Sequence, residues 1–141
     1  PVVFALVDGS VHVVGALPMK NGLILFAHGA RDPRWADPFE AIAAAVRSRA
    51  PAVDVRLAFL ELMAPDLPAA ADAMVADGCT RIDILPLFLG TGGHLRRDLP
   101  PLVNEIKARH ASVHVALHSA VGEAPALIAA MANHAIALTQ A

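Results

Sequence analysis

Two patterns alternate along the chain from Gly22 onward. Short apolar runs fill residues 22–27, 53–60, 81–87 and 113–117, and longer stretches with helical spacing lie between and after them. Phe39, Ile42, Ala43 and Val46 fall at i, i+3, i+4 and i+7, which predicts an amphipathic helix over 35–50. Leu67, Ala71, Met74 and Val75 predict a shorter helix that Gly78 stops. Leu99, Leu102, Val103 and Ile106 form a third stripe. Its expected N-cap is Asp98, with Pro100 and Pro101 in the first turn, where a missing N–H costs little. Leu127, Ile128, Met131 and Ala135 share one face of a fourth helix over 123–138. The order is βαβαβαβα. Runs that are apolar on both faces and separated by helices predict a three-layer αβα sandwich. Its four-stranded parallel sheet would be covered on both sides by right-handed crossovers, a flavodoxin-like architecture. No linker rich in Gly, Ser or Pro divides residues 19–141, which read as one domain.

Residues 1–18 stand apart. Apolar residues 2–7 and 11–17 flank Asp8-Gly9-Ser10, the pattern of a β-hairpin extension. A basic leader and a small-residue cleavage site are both missing, so a signal peptide is not expected. Met19-Lys20 has the look of a natural start, which makes residues 1–18 an artefact of the start site on the simplest reading. The sharper reading is that so apolar a hairpin covers something, most simply a partner subunit.

Composition narrows the class. Of the 141 residues 56% are apolar, much of that alanine, so the chain reads as a helix-rich globular protein with a sizeable core. No apolar run approaches the roughly 18 uninterrupted residues of a membrane span. Cys79 alone permits no internal disulfide, which fits a reducing cytoplasm. A net charge of −2 argues against nucleic acid as a partner. Seven histidines remain as the unusual feature.

In open parallel sheets, ligands bind beyond the carboxyl ends of the strands. Three polar groups fall there: His28 in His28-Gly29-Ala30-Arg31-Asp32, Glu61 after Phe59-Leu60, and His94 after Gly90-Thr91-Gly92-Gly93. They are separated by about one βα unit each, so the fold can bring all three to one edge. Two imidazoles and a carboxylate make a divalent transition-metal set with positions left open. Gly29, Gly90, Gly92 and Gly93 would let backbone approach a flat ligand. Arg31, Arg34, Arg96 and Arg97 bracket the histidines and suggest an anion-attracting rim. Each group also has a plain reading: a loop hydrogen-bonder for each His, a solvated charge or helix partner for Glu61, surface charges for the arginines. Gly-Thr-Gly-Gly lacks the phosphate-loop patterns, which weighs against a nucleotide site there. His110, His114 and His118 are four apart, but residues 113–117 read as a strand, so no shared helical face exists. Only His118, at a carboxyl strand end, lies near enough to the other groups to watch. Cys79 reads as a small buried residue.

The combination of an HG-x-R-D loop, an FLE strand end and a GGH-x-R-x-D-L-P loop resembles the small CbiX/SirB-type sirohydrochlorin chelatases. These are class II, ATP-independent tetrapyrrole chelatases, and the likeness runs from about Met19 to the C-terminus. Ala30 stands where a serine is common. The resemblance implies a chelatase-like fold, a homodimer, and an enzyme that inserts Co²⁺ or Fe²⁺ into sirohydrochlorin with release of two protons. That reaction belongs to cobalamin or sirohaem biosynthesis, with Ni²⁺ as an alternative metal. It implies that His28 and His94 are the metal-binding and catalytic pair, with Glu61 as ligand or proton relay. The arginines and the glycines at 92 and 93 would hold the polycarboxylate ring. The metal is then a substrate, and no organic cofactor is expected. A non-catalytic carrier of metal or tetrapyrrole needs the same ligands, and only turnover separates the two. A flavodoxin-like nucleotide or flavin binder rests on fold analogy alone.

Overall fold

The computed structural model describes residues 2–16 and 19–140. Strands β1 (Val2–Val7) and β2 (Ser10–Ala16) form an antiparallel hairpin. Its turn is the two residues Asp8 and Gly9, both at positive φ, and Ser10 already pairs with Val7, so the turn is one residue tighter than expected. The expected end of that strand, Leu17, lies outside the described residues. Strands β3 (Lys20–Ala27), β4 (Asp54–Phe59), β5 (Cys79–Pro86) and β6 (His114–Leu117) form a separate parallel sheet in the order β4-β3-β5-β6.

Helix α1 (Asp37–Arg49), entered through a 3-10 turn at Pro33–Ala36, packs on one side of β3 and β4. Helices α2 (Leu67–Ala76) and α3 (Gly93–Arg109) pack on the other side. Period-two alternation sorts the strand residues accordingly. Ile24, Phe26, Ala58, Ile82, Ile84 and Val115 join α2 and α3 in one core, with Leu67, Met74, Val103 and Ile106. Leu25, Ala27, Val55, Leu57 and Phe59 face α1 in a second, smaller one. Each fully buried Ile or Phe there is worth roughly 1.5–3 kcal/mol.

Three local expectations change. The start of α3 is Gly93, capped by Gly92, so Asp98 lies inside the helix rather than at its cap. Pro100 and Pro101 are likewise interior. Each lacks the N–H that would meet a carbonyl one turn earlier, and those carbonyls belong to exposed Arg96 and Arg97, where water can satisfy them. Strand β5 is not apolar on both faces: Arg81 and Asp83 share the α1 side of the sheet with half-buried Leu85. The fourth helix, α4 (Pro125–Thr139), forms as expected, but no residue of it is buried. Ile128, Met131, Ile136 and Leu138 are exposed, and α4's main contact is with the 3-10 turn Val121–Glu123 that precedes it. The predicted apolar stripe exists in sequence and is not used within the chain.

Candidate functional site

The sheet order places a switch point between β3 and β5. From β3 the chain crosses to β4 on one flank, and from β5 it crosses to β6 on the other, so their carboxyl ends open a crevice between diverging loops. His28 follows β3 directly. The ladder runs past the strands at this end: Leu60 N–H donates to the Ala27 carbonyl at 2.9 Å, and Glu61 N–H to the His28 carbonyl at 3.0 Å. On the other side, Leu87 N–H donates to the Phe26 carbonyl at 2.8 Å. His28 is thereby fixed between the ends of β4 and β5.

Backbone registry brings the side chains together. His28 Nε2 lies 3.0 Å from Glu61 Oε1, and both side chains are about half exposed, at 48% and 55%. The Phe88 ring meets the His28 ring edge to face at 6.4 Å and the Phe26 ring likewise at 5.9 Å. The imidazole therefore has a hydrogen-bonded edge, a packed edge and access to solvent. Gly29 permits this closeness. Its φ is +95°, and a Cβ there would lie 1.8 Å from the Glu61 carbonyl oxygen.

His94 arrives by a different route. It is the second residue of α3, exposed, on a helix terminus reached through Leu87–Gly92. The Gly122 N–H donates to the Phe88 carbonyl at 2.9 Å, and a Cβ on Gly122 would lie 2.0 Å from the Leu89 carbonyl oxygen. No local sequence signal marks Gly122, which is pressed against Leu89, 33 residues earlier. Of the three predicted groups, the structure joins His28 to Glu61 and leaves His94 in the first turn of α3, bonded to neither. No three His, Cys, Asp or Glu side chains among the described residues stand close enough together to hold a metal ion.

The arginines divide. Arg34 is engaged locally: its Nη2 donates to Asp32 Oδ2 at 3.0 Å, and its N–H to Asp32 Oδ1 at 3.0 Å. The Arg34 guanidinium holds the Asp32 carboxyl below its usual range. Arg97 Nε donates to the Gly93 carbonyl at 3.2 Å, bracing the first turn of α3. Arg31 is exposed beside His28. Arg96 lines a recess of about 240 Å³ with Thr91, Pro100, His118 and Glu123. Gly92 and Gly93 are exposed at the helix start. His118 Nε2 is bound to Asp83 Oδ1 at 2.7 Å, on the α1 side of the sheet. No helix among the described residues is long and apolar enough to cross a membrane.

Comparison with known proteins is consistent across sequence and structure. Residues 22–137 match the CbiX family. A sirohydrochlorin ferrochelatase of Bacillus subtilis (strain 168) is 26% identical over 74% of this chain and 40% of its own length. A sirohydrochlorin cobaltochelatase of Methanocaldococcus jannaschii is 31% identical over 64% of this chain and 63% of its own. The chain thus spans less than two thirds of these curated relatives. A crystal structure from Marinobacter aquaeolei VT8, assigned to cobalamin (vitamin B12) biosynthesis as a CbiX protein, superposes with a TM-score of 0.75. It shares 29% identity over 86% of this chain and 98% of that one.

Proposed function

The chain belongs to the CbiX family, and from that premise we propose that it inserts Co²⁺ or Fe²⁺ into sirohydrochlorin, releasing two protons. The observation that carries the reading is the His28–Glu61 pair at 3.0 Å, set at the β3/β5 switch point opposite the loop that presents His94. The relatives named above act on one macrocycle with different metals, so cobalt and iron stand as the two candidates.

Metal insertion into a free-base tetrapyrrole needs a group that hands over a divalent ion and a group that takes pyrrole protons. Neutral imidazole serves as ligand or as base. If the His28 tautomer donates its Nε2–H to Glu61, its Nδ1 lone pair is left for a metal ion or a proton. The Glu61 carboxylate then holds the ring orientation while that nitrogen takes the metal ion or the proton. Phe88 fixes the ring plane, which keeps the lone pair aimed in one direction. His94 supplies the second imidazole from the first turn of α3, and Glu61 acts as ligand or relay. Arg31 and Arg96 are the arginines available for peripheral carboxylates. Arg34 would first have to leave Asp32, and Arg97 is occupied in part by Gly93. Exposed backbone at Gly92 and Gly93 offers close approach to a flat ring. The metal is a substrate in this scheme, no organic cofactor takes part, and the working unit is a homodimer in the cytoplasm.

The test is turnover. Limiting protein is incubated anaerobically with excess sirohydrochlorin and Co²⁺ or Fe²⁺, and the absorbance change is followed. Many equivalents metallated per chain above the spontaneous rate are expected. A ceiling of one equivalent would make the protein a carrier instead. The same assay with both metals in competition identifies the preferred ion.

A further inference from the structure

Among the described residues the hairpin, α4 and one half of the sheet lack cover, and the last two match. The first of that pair is α4. Its 15 residues include no Asp, Glu, Lys or Arg, and Ile128, Met131, Ile136 and Leu138 are 51%, 40%, 53% and 68% exposed. A helix apolar over most of its circumference is a buried helix in an aqueous protein. The second is the α1 side of β5 and β6. There α1 covers β3 and β4, while Leu23, Leu85 and Ala116 remain only half-buried, and among the described residues no helix packs on β5 or β6 from that side. A parallel sheet is covered by helices on both faces, and α4 is the described helix that packs on no strand.

The joint explains why α4 does not fold back. Residues Val121–Glu123 are pinned to the β5–α3 loop through Gly122, leaving Ala124 as the connection to α4. Pro125 opens the helix and restricts Ala124 to extended backbone, as seen in its φ of −73° and ψ of 122°. The helix is therefore aimed by a short, stiff joint. The surface area agrees. The chain exposes 8801 Å², about 1,900 Å² more than the ~6,900 Å² of a compact 14.7 kDa monomer. That excess is shared between α4, the bare sheet half and the hairpin, and a standard interface draws on roughly 800 Å² per partner, less than half of it.

We propose that α4 of one copy lies across the β5–β6 half of the sheet of a second copy, beside the partner's α1, and that the second copy's α4 returns the contact. Each copy offers one uncovered helix and one uncovered sheet half, so a two-fold exchange closes without residue. The charges on the receiving face fit an uncharged helix. Asp83 takes Arg81 Nε at 2.9 Å and His118 Nε2 at 2.7 Å, so covering them strands no lone charge. This inference rests on the two-copy assembly proposed above and names the segment that holds it together.

Light scattering of the 141-residue chain is expected to give twice the 14.7 kDa chain mass. The double substitution Ile128→Asp with Met131→Asp is expected to shift it to the single-chain mass. A monomeric parent chain, or a dimer that survives both aspartates, overturns the exchange. Cross-linking covers the case in which those substitutions prevent folding. Two differently tagged chains, both Cys79→Ser, carry Met131→Cys and Ala116→Cys, are co-expressed and are treated with a short bismaleimide. A product joining the two tags is expected. A chain bearing both cysteines that links only within itself shows α4 folded back, and overturns the proposal. The insertion assay is read separately. An exchanged dimer without turnover counts against the chelatase reading alone, and turnover by an internally linked monomer counts against the exchange alone.

Discussion

The two sides of the crevice are built by different means. On the β3–β4 side, main-chain hydrogen bonds continue past both strands and fix His28 and Glu61 before any ligand arrives. On the α3 side, His94 sits in the first turn of a helix whose cap, Gly92, has no side chain to bond the free N–H groups. What holds that side is remote: Gly122 against Phe88 and Leu89, and Arg97 against Gly93. One half is registered by the sheet itself, and the other by a packed loop. A site that must admit a flat macrocycle and then release it gains from one fixed wall and one that can adjust.

The largest effect should come from the fixed wall. His28→Ala removes the imidazole whose ring is oriented by Glu61 and Phe88, and should lower the insertion rate by about 100-fold or more. Near-normal turnover would remove His28 from the catalytic set. Gly29→Ala tests the wall's construction. A Cβ 1.8 Å from the Glu61 carbonyl at a positive φ should cost more than about 2 kcal/mol in denaturant unfolding. An unchanged midpoint would mean that the β3–β4 junction is looser than its hydrogen bonds suggest.

Gly122→Ala addresses the adjustable side. Pushing Leu89 should slow insertion several-fold with a smaller stability loss than at Gly29, visible as a fall in kcat with little change in KM. Equal losses at both glycines would erase the distinction between the two walls. On neighbouring β5, Arg81 and His118 hold the Asp83 carboxyl below its usual range, Arg81 being the larger influence. A carboxylate with a lowered folded pKa stabilises the protein above its unfolded value, near 3.9, and loses that contribution as pH falls through the lower folded one. Asp83→Asn should therefore flatten the acid limb of stability against pH below about 5, without touching the neutral plateau beyond the loss of its ion pairs. An unaltered acid limb would show that the cluster is not a stabilising one.

The smallest effect is at Gly92. Its φ of −69° and ψ of 164° suit any N-cap residue, so Gly92→Ser should stabilise α3 by a few tenths of a kcal/mol. If insertion falls nonetheless, the bare backbone is needed for the ring rather than for the helix.

Much of this was legible in the chain. Short apolar runs and helical spacing predicted four parallel strands and four helices, and the spacing of 33 residues placed His28 and Glu61 on strand ends at one edge, where they touch. Asp98, followed closely by Pro100 and Pro101, points to a later start for α3 by local capping rules, whereas the helix begins at Gly93 with its prolines on an exposed flank. Sequence also put an apolar stripe on one face of α4, and periodicity reports that such a face is to be buried and not by what. Long-range contacts alone give His118 to Asp83 and brace the loop before His94 through Gly122. Each of these depends on which distant backbones meet. The sequence by itself determined the elements and the residue types gathered at one sheet edge, through short-range periodicity and spacing. Tertiary structure decided which of those groups touch and left α4 and half a sheet face uncovered, because contacts between segments far apart in the chain leave no local signature.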